Sequence, residues 1–337
     1  MSNHATRFLS GDARGRAPMP GLGNALLRCN SIDELRTLAP LPKDAQELID
    51  RAVVRVGLDR LIIVQDLMAE GLTYSLPDPL SVMELYWERA DEIGDARRVM
   101  LPHARGEDQL AEFDGQRIPI YATIDDFTLN IRTLRASERA GAPLDTFQVE
   151  QATRRVNESI EDAAINGAGL AVGGNSAPGL LDAPNKGTSI YTGGEAWDAS
   201  GHTGEEILGD VLAMVDVAQA AKKYGPYNLY IPTEYGNKLN ADFKANSALT
   251  IRQRLEELEV GGRNLRIRVA DLLPDDRTAL VQMTSDVIDV IVGQEPTVIS
   301  WESGDGFVRY FIVMAFVVPR VRDDYDGNSG IVIGYIS

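Results

Sequence analysis

The stretch TFQVEQATRRVNESIEDAAING, residues 146–167, decides how the rest of the chain is read. Its apolar positions Val149, Ala152, Val156, Ile160 and Ala163 recur at steps of three and four, which gathers them on one stripe of a 3.6-residue helix. Pro143 bars backward extension, Asp145 followed three residues later by Gln148 has the form of a capping box, and Gly167 offers a left-handed closing residue. The pattern predicts a helix over 146–166 that runs out into GAGLAVGG at 167–174. At about 1.5 Å per residue such a rod is roughly 30 Å long, the width of a small domain. It serves either a cofactor loop behind it or a scaffold around it. A dinucleotide loop follows a strand and opens a helix, so that phosphate meets helix-N-terminal amides; here the glycines follow a helix and the order is reversed.

The 337 residues, 44% hydrophobic and 25% charged, have the composition of a soluble globular protein and room for two ordinary domains or one elaborated one. The longest apolar run, YFIVMAFVVP at 310–319, is strand-sized and too short to cross a bilayer. The N-terminus lacks the apolar core of a signal peptide, so neither a membrane nor export is expected. A single cysteine, Cys29, excludes an internal disulfide framework and a cysteine-rich metal site. A formal charge of −17 argues against a surface that grips nucleic acid, because phosphate contacts need clustered lysine and arginine. An acidic wall can still enclose DNA. Lysine is confined to Lys43, Lys186, Lys222, Lys223, Lys238 and Lys244, so none lies between 44 and 185.

Residues 1–43 carry scattered Gly, Pro and Arg with weak periodicity and read as an extended arm. From Asp44 to Gly71 near-helical spacing predicts a helix or helix pair, bent at Gly57. SVMELYWERAD and QRIPIYATIDDFTLN alternate, with Asp114-Gly115 as a tight-turn signal, so 82–125 reads as a long projecting hairpin with too few apolar residues for a core of its own. Beyond the long helix, a Gly-, Ser-, Thr- and Asn-rich connection over 168–203 leads to a second helix with its stripe at Ile207, Val211, Met214, Val215 and Ala218. Strands YNLYIP, RNLRIRVADLL and TALVQMT follow, then a strand, a Gly-Asp-Gly turn and a longer strand over 297–323, and GIVIGYIS as a last strand. The class is α+β, without an internal repeat.

The residue types that carry chemistry form no constellation. His4, His103 and His202 lie in loop-like sequence without a second ligand at metal spacing and read as solvated. DYDGNSG at 324–330 begins like a calcium loop, but Tyr335 stands where the bidentate glutamate belongs, and a turn between strands explains it better. The pairs Asp125-Asp126, Asp275-Asp276 and Asp323-Asp324 read as solvated edges, since adjacent carboxylates on a strand point to opposite faces. Neither a nucleophile elbow nor a zinc-protease motif occurs, so no catalytic, cofactor or metal residue is assigned. The weight shifts to a structural protein.

The segment TLNIRTLRASERAGAPLDTFQVEQATRRVNESIEDAAINGAG, with PGLLDAPN at 178–185, resembles the spine region of the Hong Kong 97-type shell fold shared by tailed-phage major capsid proteins and encapsulins. QELIDRAVVRVGLDRLIIVQDLMAEGLTYSLP is similar to the start of encapsulin-type shells. The resemblance implies an N-terminal arm at 1–43, a helical segment at 44–81 and an E-loop at 82–125. It further implies a P-domain at 126–203 with the spine helix at 146–166, an A-domain at 204–295 and returning P-domain strands at 296–337. It also implies a non-enzymatic subunit of hexamers and pentamers in an icosahedral shell, assembled in a host cytoplasm around double-stranded DNA, with separate scaffolding and portal proteins. The tail VRDDYDGNSGIVIGYIS resembles phage capsids more than encapsulins, which would load an enzyme cargo instead; an α+β enzyme is the reading from a different class. Some phage members weld subunits through an E-loop lysine, and this E-loop has none. Contact with the neighbouring subunit is therefore expected without a weld, through Phe113, Asp114, Gly115 and Arg117.

Overall fold

The computed structural model describes residues 53, 61–90, 112–140, 144–199, 201–244 and 249–336. The expected arm, Cys29, His4, His103, the bend at Gly57 and the side chain of Asp145 lie outside the described residues. The first half runs α1 (Ile63–Ala69), β1 (Thr73–Ser75), β2 (Glu84–Ala90), β3 (Phe113–Pro119), β4 (Thr123–Asn130), α2 (Ile131–Ala140) and α3 (Leu144–Asn166). There follow β5 (Ala171–Val172), β6 (Asn175–Ser176), β7 (Gly187–Ile190), α4 (Gly204–Ala220), β8 (Tyr227–Ile231), α5 (Thr233–Lys238) and α6 (Ile251–Glu256). The chain ends through β9 (Glu259–Val260), β10 (Arg263–Asn264), β11 (Arg266–Val269), β12 (Arg277–Gln282), β13 (Ile288–Glu302), β14 (Val308–Val321) and β15 (Ile331–Tyr335).

Helix α3 is the rod that the periodicity predicts, begun two residues earlier at Leu144. Its stripe of Val149, Ala152, Val156, Ile160 and Ala163 is buried against β4, β13 and β14. A second buried stripe is polar: Thr153, Asn157 and Glu161, one turn apart, are at most 1% exposed. The Thr153 hydroxyl donates to the Val149 carbonyl at 2.8 Å, while Glu161 reaches across to α1. At the other end Gly167 takes φ +83°, and the chain turns back through the β5–β6 hairpin. The amides of Leu180 and Leu181 then donate to the Ala164 and Ile165 carbonyls at 2.8 and 2.9 Å, satisfying acceptors that a helix end leaves open. PGLLDAPN is thus the segment that closes the long helix.

Two sheets carry the core. The first, in the order β1, β13, β14, β4, lies under α3 and is antiparallel except for the parallel β1–β13 edge. Along β14, Phe311, Val313, Ala315 and Val317 face α3, whereas Ile312, Met314 and Phe316 join Ile299 in a small cluster on the opposite face. The second sheet runs β11, β8, β12, β15, β7, with parallel pairs at both margins. Alternation sends Leu229, Leu280 and Val332 to the core beneath α4, and Tyr230, Val281, Ile331 and Ile333 to the core shared with α3. Both faces are buried, which is why YNLYI reads as a continuous run.

The last strand, β15, pairs with β12 and β7 in the second sheet. Two readings change. Asp114 and Gly115 form no turn; they lie inside β3, paired with Arg89 and Glu88. His202 is not solvated but 5% exposed, held 3.2 Å from the Asp210 carboxylate.

Candidate functional site

The described strands of the hairpin expose one face and use the other. Tyr86 pairs with Arg117, Glu88 with Gly115 and Ala90 with Phe113, so side-chain alternation places these six on one side. Leu85, Trp87 and Arg89 share the opposite side with Asp114, Gln116 and Ile118. The second set packs on the body with Leu76, Ile291 and Val318, whereas Tyr86, Glu88, Ala90, Phe113, Gly115 and Arg117 are exposed.

The inward face ends in a joint that sequence reasoning missed. The guanidinium carbon of Arg320 lies 5.1 Å from the Trp87 ring centroid and 5.2 Å from that of Tyr74. Cation–π contacts of this kind strengthen when desolvated, and Arg320 is 2% exposed. Arg89 adds a second tie, donating to Asp323 and to Asp114, each at 2.5 Å. Asp323 also accepts from Asn185 at 2.7 Å, so the expected solvated pair Asp323-Asp324 is half engaged in holding the hairpin root. The sequence carried one signal, an arginine directly after the apolar run 310–319 and followed by another valine.

Of the predicted contact residues, Phe113 and Arg117 come together on the open face. Phe113 is 66% exposed, and Arg117 lies over the Tyr86 ring at 5.8 Å. Asp114 points inward, where the Arg89 guanidinium and the Gln116 amide hold its carboxyl below the usual range. At Gly115 a Cβ would come 2.7 Å from the exposed Tyr86 ring, so any side chain there would push that ring aside. The open face therefore presents Tyr86 and Phe113 beside a cation, the residue types enriched in protein contacts.

A second polar centre lies beneath α4. Asp210, 2% exposed, accepts from the Thr192 amide at 2.7 Å, the Thr192 hydroxyl at 2.6 Å and Trp197 Nε1 at 2.8 Å, with His202 Nε2 at 3.2 Å. Tyr191, Trp197 and Tyr235 stack around it. The centre ties the 191–203 connection to the helix. Among the described residues, no cluster of three or more His, Cys, Asp or Glu could hold a metal ion, and no helix is long and apolar enough to cross a membrane.

A long helix laid across one sheet, a hairpin rooted at that sheet's margin and a second sheet covered by α4 make up an α+β fold of the Hong Kong 97-like capsid type. The virus-like particle protein from Pyrococcus furiosus superposes with a TM-score of 0.60 at 17% identity, over 86% of this chain and 99% of that one. The capsid protein of Myoviridae phage XM1 gives 0.58 at 13% identity over 75% and 86% of the two chains. The capsid of a native GTA particle gives 0.59 at 12% over 82% and 91%. No curated protein matches. Residues 103–334 match the family of unknown function DUF6260, and the chain belongs to that family.

Proposed function

We propose that this chain is the major capsid protein of a tailed bacteriophage, which self-assembles through hexamers and pentamers into an icosahedral shell around packaged double-stranded DNA. The observation that carries the reading is the hairpin: a root fixed by Trp87, Arg89 and Arg320 presents an outward face with Tyr86, Phe113 and Arg117 uncovered in the single chain. An exposed aromatic face on a rigid support fits contact with a neighbouring copy. The formal charge of −17 supports a wall that encloses DNA without gripping it. With no lysine between 44 and 185, the shell is held by burial and charge-assisted hydrogen bonds, without a lysine weld from the hairpin.

Electron microscopy of the purified protein tests the reading: closed shells are expected, and a chain that stays monomeric at every concentration and ionic strength, with phage partners supplied, would sink it. Boiling shells in detergent should release one band at the mass of a single chain; a ladder of covalent multimers would contradict the absence of a weld. The second reading, an encapsulin-type compartment, is favoured by the near-complete overlap with the Pyrococcus furiosus particle protein. Shells recovered with an enzyme cargo and no genome would select it.

A further inference from the structure

Helix α2 carries arginines that the single chain does not use. Arg132, Arg135 and Arg139 stand three and four residues apart, which sets them on one face, and all three are exposed. Leu134, 4% exposed and part of the core shared with α3, anchors the helix from another side. Among the described residues no carboxylate pairs with any of the three arginines. A chain of formal charge −17 has carboxylates in excess, so the omission is a matter of placement.

The turn that joins β13 to β14 lies at the start of α2. The Ile131 amide donates to the Phe307 carbonyl at 2.9 Å, and Val308 pairs with Asn130 along β14 and β4. The support is stiff: the Ser303 amide donates to the Val308 carbonyl at 2.8 Å, and behind it the Trp301 and Tyr310 rings stack at 5.3 Å and 12°. On this support Phe307 is 64% exposed. Asp305 is exposed beside it; its carboxylate accepts from the Phe307 amide at 3.2 Å and meets no cation among the described residues. Unpaired charges of both signs therefore flank one uncovered aromatic ring at the same end of the first sheet.

We propose that this end of the first sheet is a second contact surface between copies of the chain, in which the 303–307 turn of one copy lies against the α2 arginines of the next. This surface presupposes the shell reading and is separate from the open face of β2 and β3. Copies of charge −17 repel one another over a Debye length of roughly 8 Å at physiological salt, so contacts form where unlike charges meet. Here the two signs lie side by side without pairing in one chain. Asp305 of one copy can thus meet an arginine of another while Phe307 is covered between them. An aromatic centre with a charged rim is the common anatomy of such contacts, and arginine is the cation they favour.

Assembly of the full-length protein, followed by light scattering and electron microscopy, tests the surface. Asp305→Lys and Arg135→Glu should each slow assembly on the order of tenfold. The double variant restores opposite signs across the contact and should recover most of the wild-type rate. Asp305→Lys combined with Lys244→Glu restores the net charge elsewhere and should not. Phe307→Ser should slow assembly as well. Unfolding midpoints of the free subunits should stay at the wild-type value, since the three side chains are exposed in the single chain. Single variants that assemble at the wild-type rate, or a double variant no better than either single one, would overturn the proposal. So would Arg135→Glu shells that form normally but lose packaged DNA, which would assign the α2 face to the genome. A wild-type chain that never assembles refutes the shell reading itself, a result distinct from failure of this surface alone.

Discussion

Arg320 and Asp289 face each other across β14 and β13 and clasp through two hydrogen bonds, Nε to Oδ1 at 2.8 Å and Nη2 to Oδ2 at 2.5 Å. Their side chains are 2% and 6% exposed. A buried pair of this kind gains little over an apolar one, and breaking it leaves Asp289 with Arg322 alone, at 2.9 Å. Arg320→Ala is therefore expected to destabilise the subunit, read from urea midpoints, by less than the roughly 3–5 kcal/mol of a buried charge left wholly unpaired. Arg320→Lys should lie between it and wild type, because an ammonium keeps the charge but loses the fork and the guanidinium contacts with the Trp87 and Tyr74 rings. Midpoints indistinguishable from wild type for both would refute the joint.

Gly179 closes the long helix by steric necessity. A Cβ there would lie 2.3 Å from the Gly167 amide nitrogen and 2.5 Å from the Ile165 carbonyl oxygen, both backbone atoms that cannot swing aside. Gly179→Ala should cost roughly 1–3 kcal/mol in denaturant unfolding, the usual range for overpacking. Gly209, inside α4 with nothing near its missing side chain, is the contrast: Gly209→Ala should stabilise by about 0.5–1 kcal/mol. Equal effects at the two positions would remove the argument.

What the sequence made legible follows period and local chemistry. The stripe from Val149 to Ala163, the α4 stripe and β14 formed where alternation or 3.6-residue spacing placed them, whereas β13 starts at Ile288, nine residues ahead of the strand expected from Thr297. Thr153, Asn157 and Glu161 escaped, because a polar stripe at helical spacing looks like a wet face until a second element covers it. Arg89 meets Asp323 across 234 residues, a distance over which no local pattern speaks. Asp114-Gly115 misled for the opposite reason: a strong local turn signal was overruled by pairing along β2 and by the Tyr86 ring above Gly115. At the candidate site, Phe113 and Arg117 were singled out as neighbours of that supposed turn and stand exposed on a strand instead, whereas Trp87 and Arg320 required the tertiary structure.

The Asp210 centre predicts a cost that charge alone would not. Donors from the Thr192 amide, the Thr192 hydroxyl and Trp197 Nε1 converge on its two oxygens within 2.6–2.8 Å. Asparagine offers one acceptor where the carboxylate offers two, and turns an amide against a donor. Asp210→Asn is expected to lower stability by about 1–3 kcal/mol, the cost of a buried donor left unmade, with Trp197 fluorescence reporting the loosened packing. A variant unfolding at the wild-type temperature would show that the donors find other partners.

The hairpin supplies the sharpest separation between folding and assembly. Arg117 is 57% exposed, 3.5 Å from Glu84 and over the exposed Tyr86 ring at 5.8 Å, so reversing its charge removes little that the single chain uses. Phe113, 66% exposed, likewise contributes almost nothing to the core. Arg117→Glu and Phe113→Ser should each leave the unfolding midpoint within about 0.5 kcal/mol of wild type. Both should nevertheless impair shell formation, followed by light scattering and sedimentation, because they alter the face offered to a neighbour. Asp114→Asn should behave in the reverse sense: it weakens the Arg89 tie, loosens the hairpin root and lowers stability before assembly begins. If Arg117→Glu and Phe113→Ser assemble as wild type does, the open face of β2 and β3 is not the contact surface, and another part of the subunit must carry it.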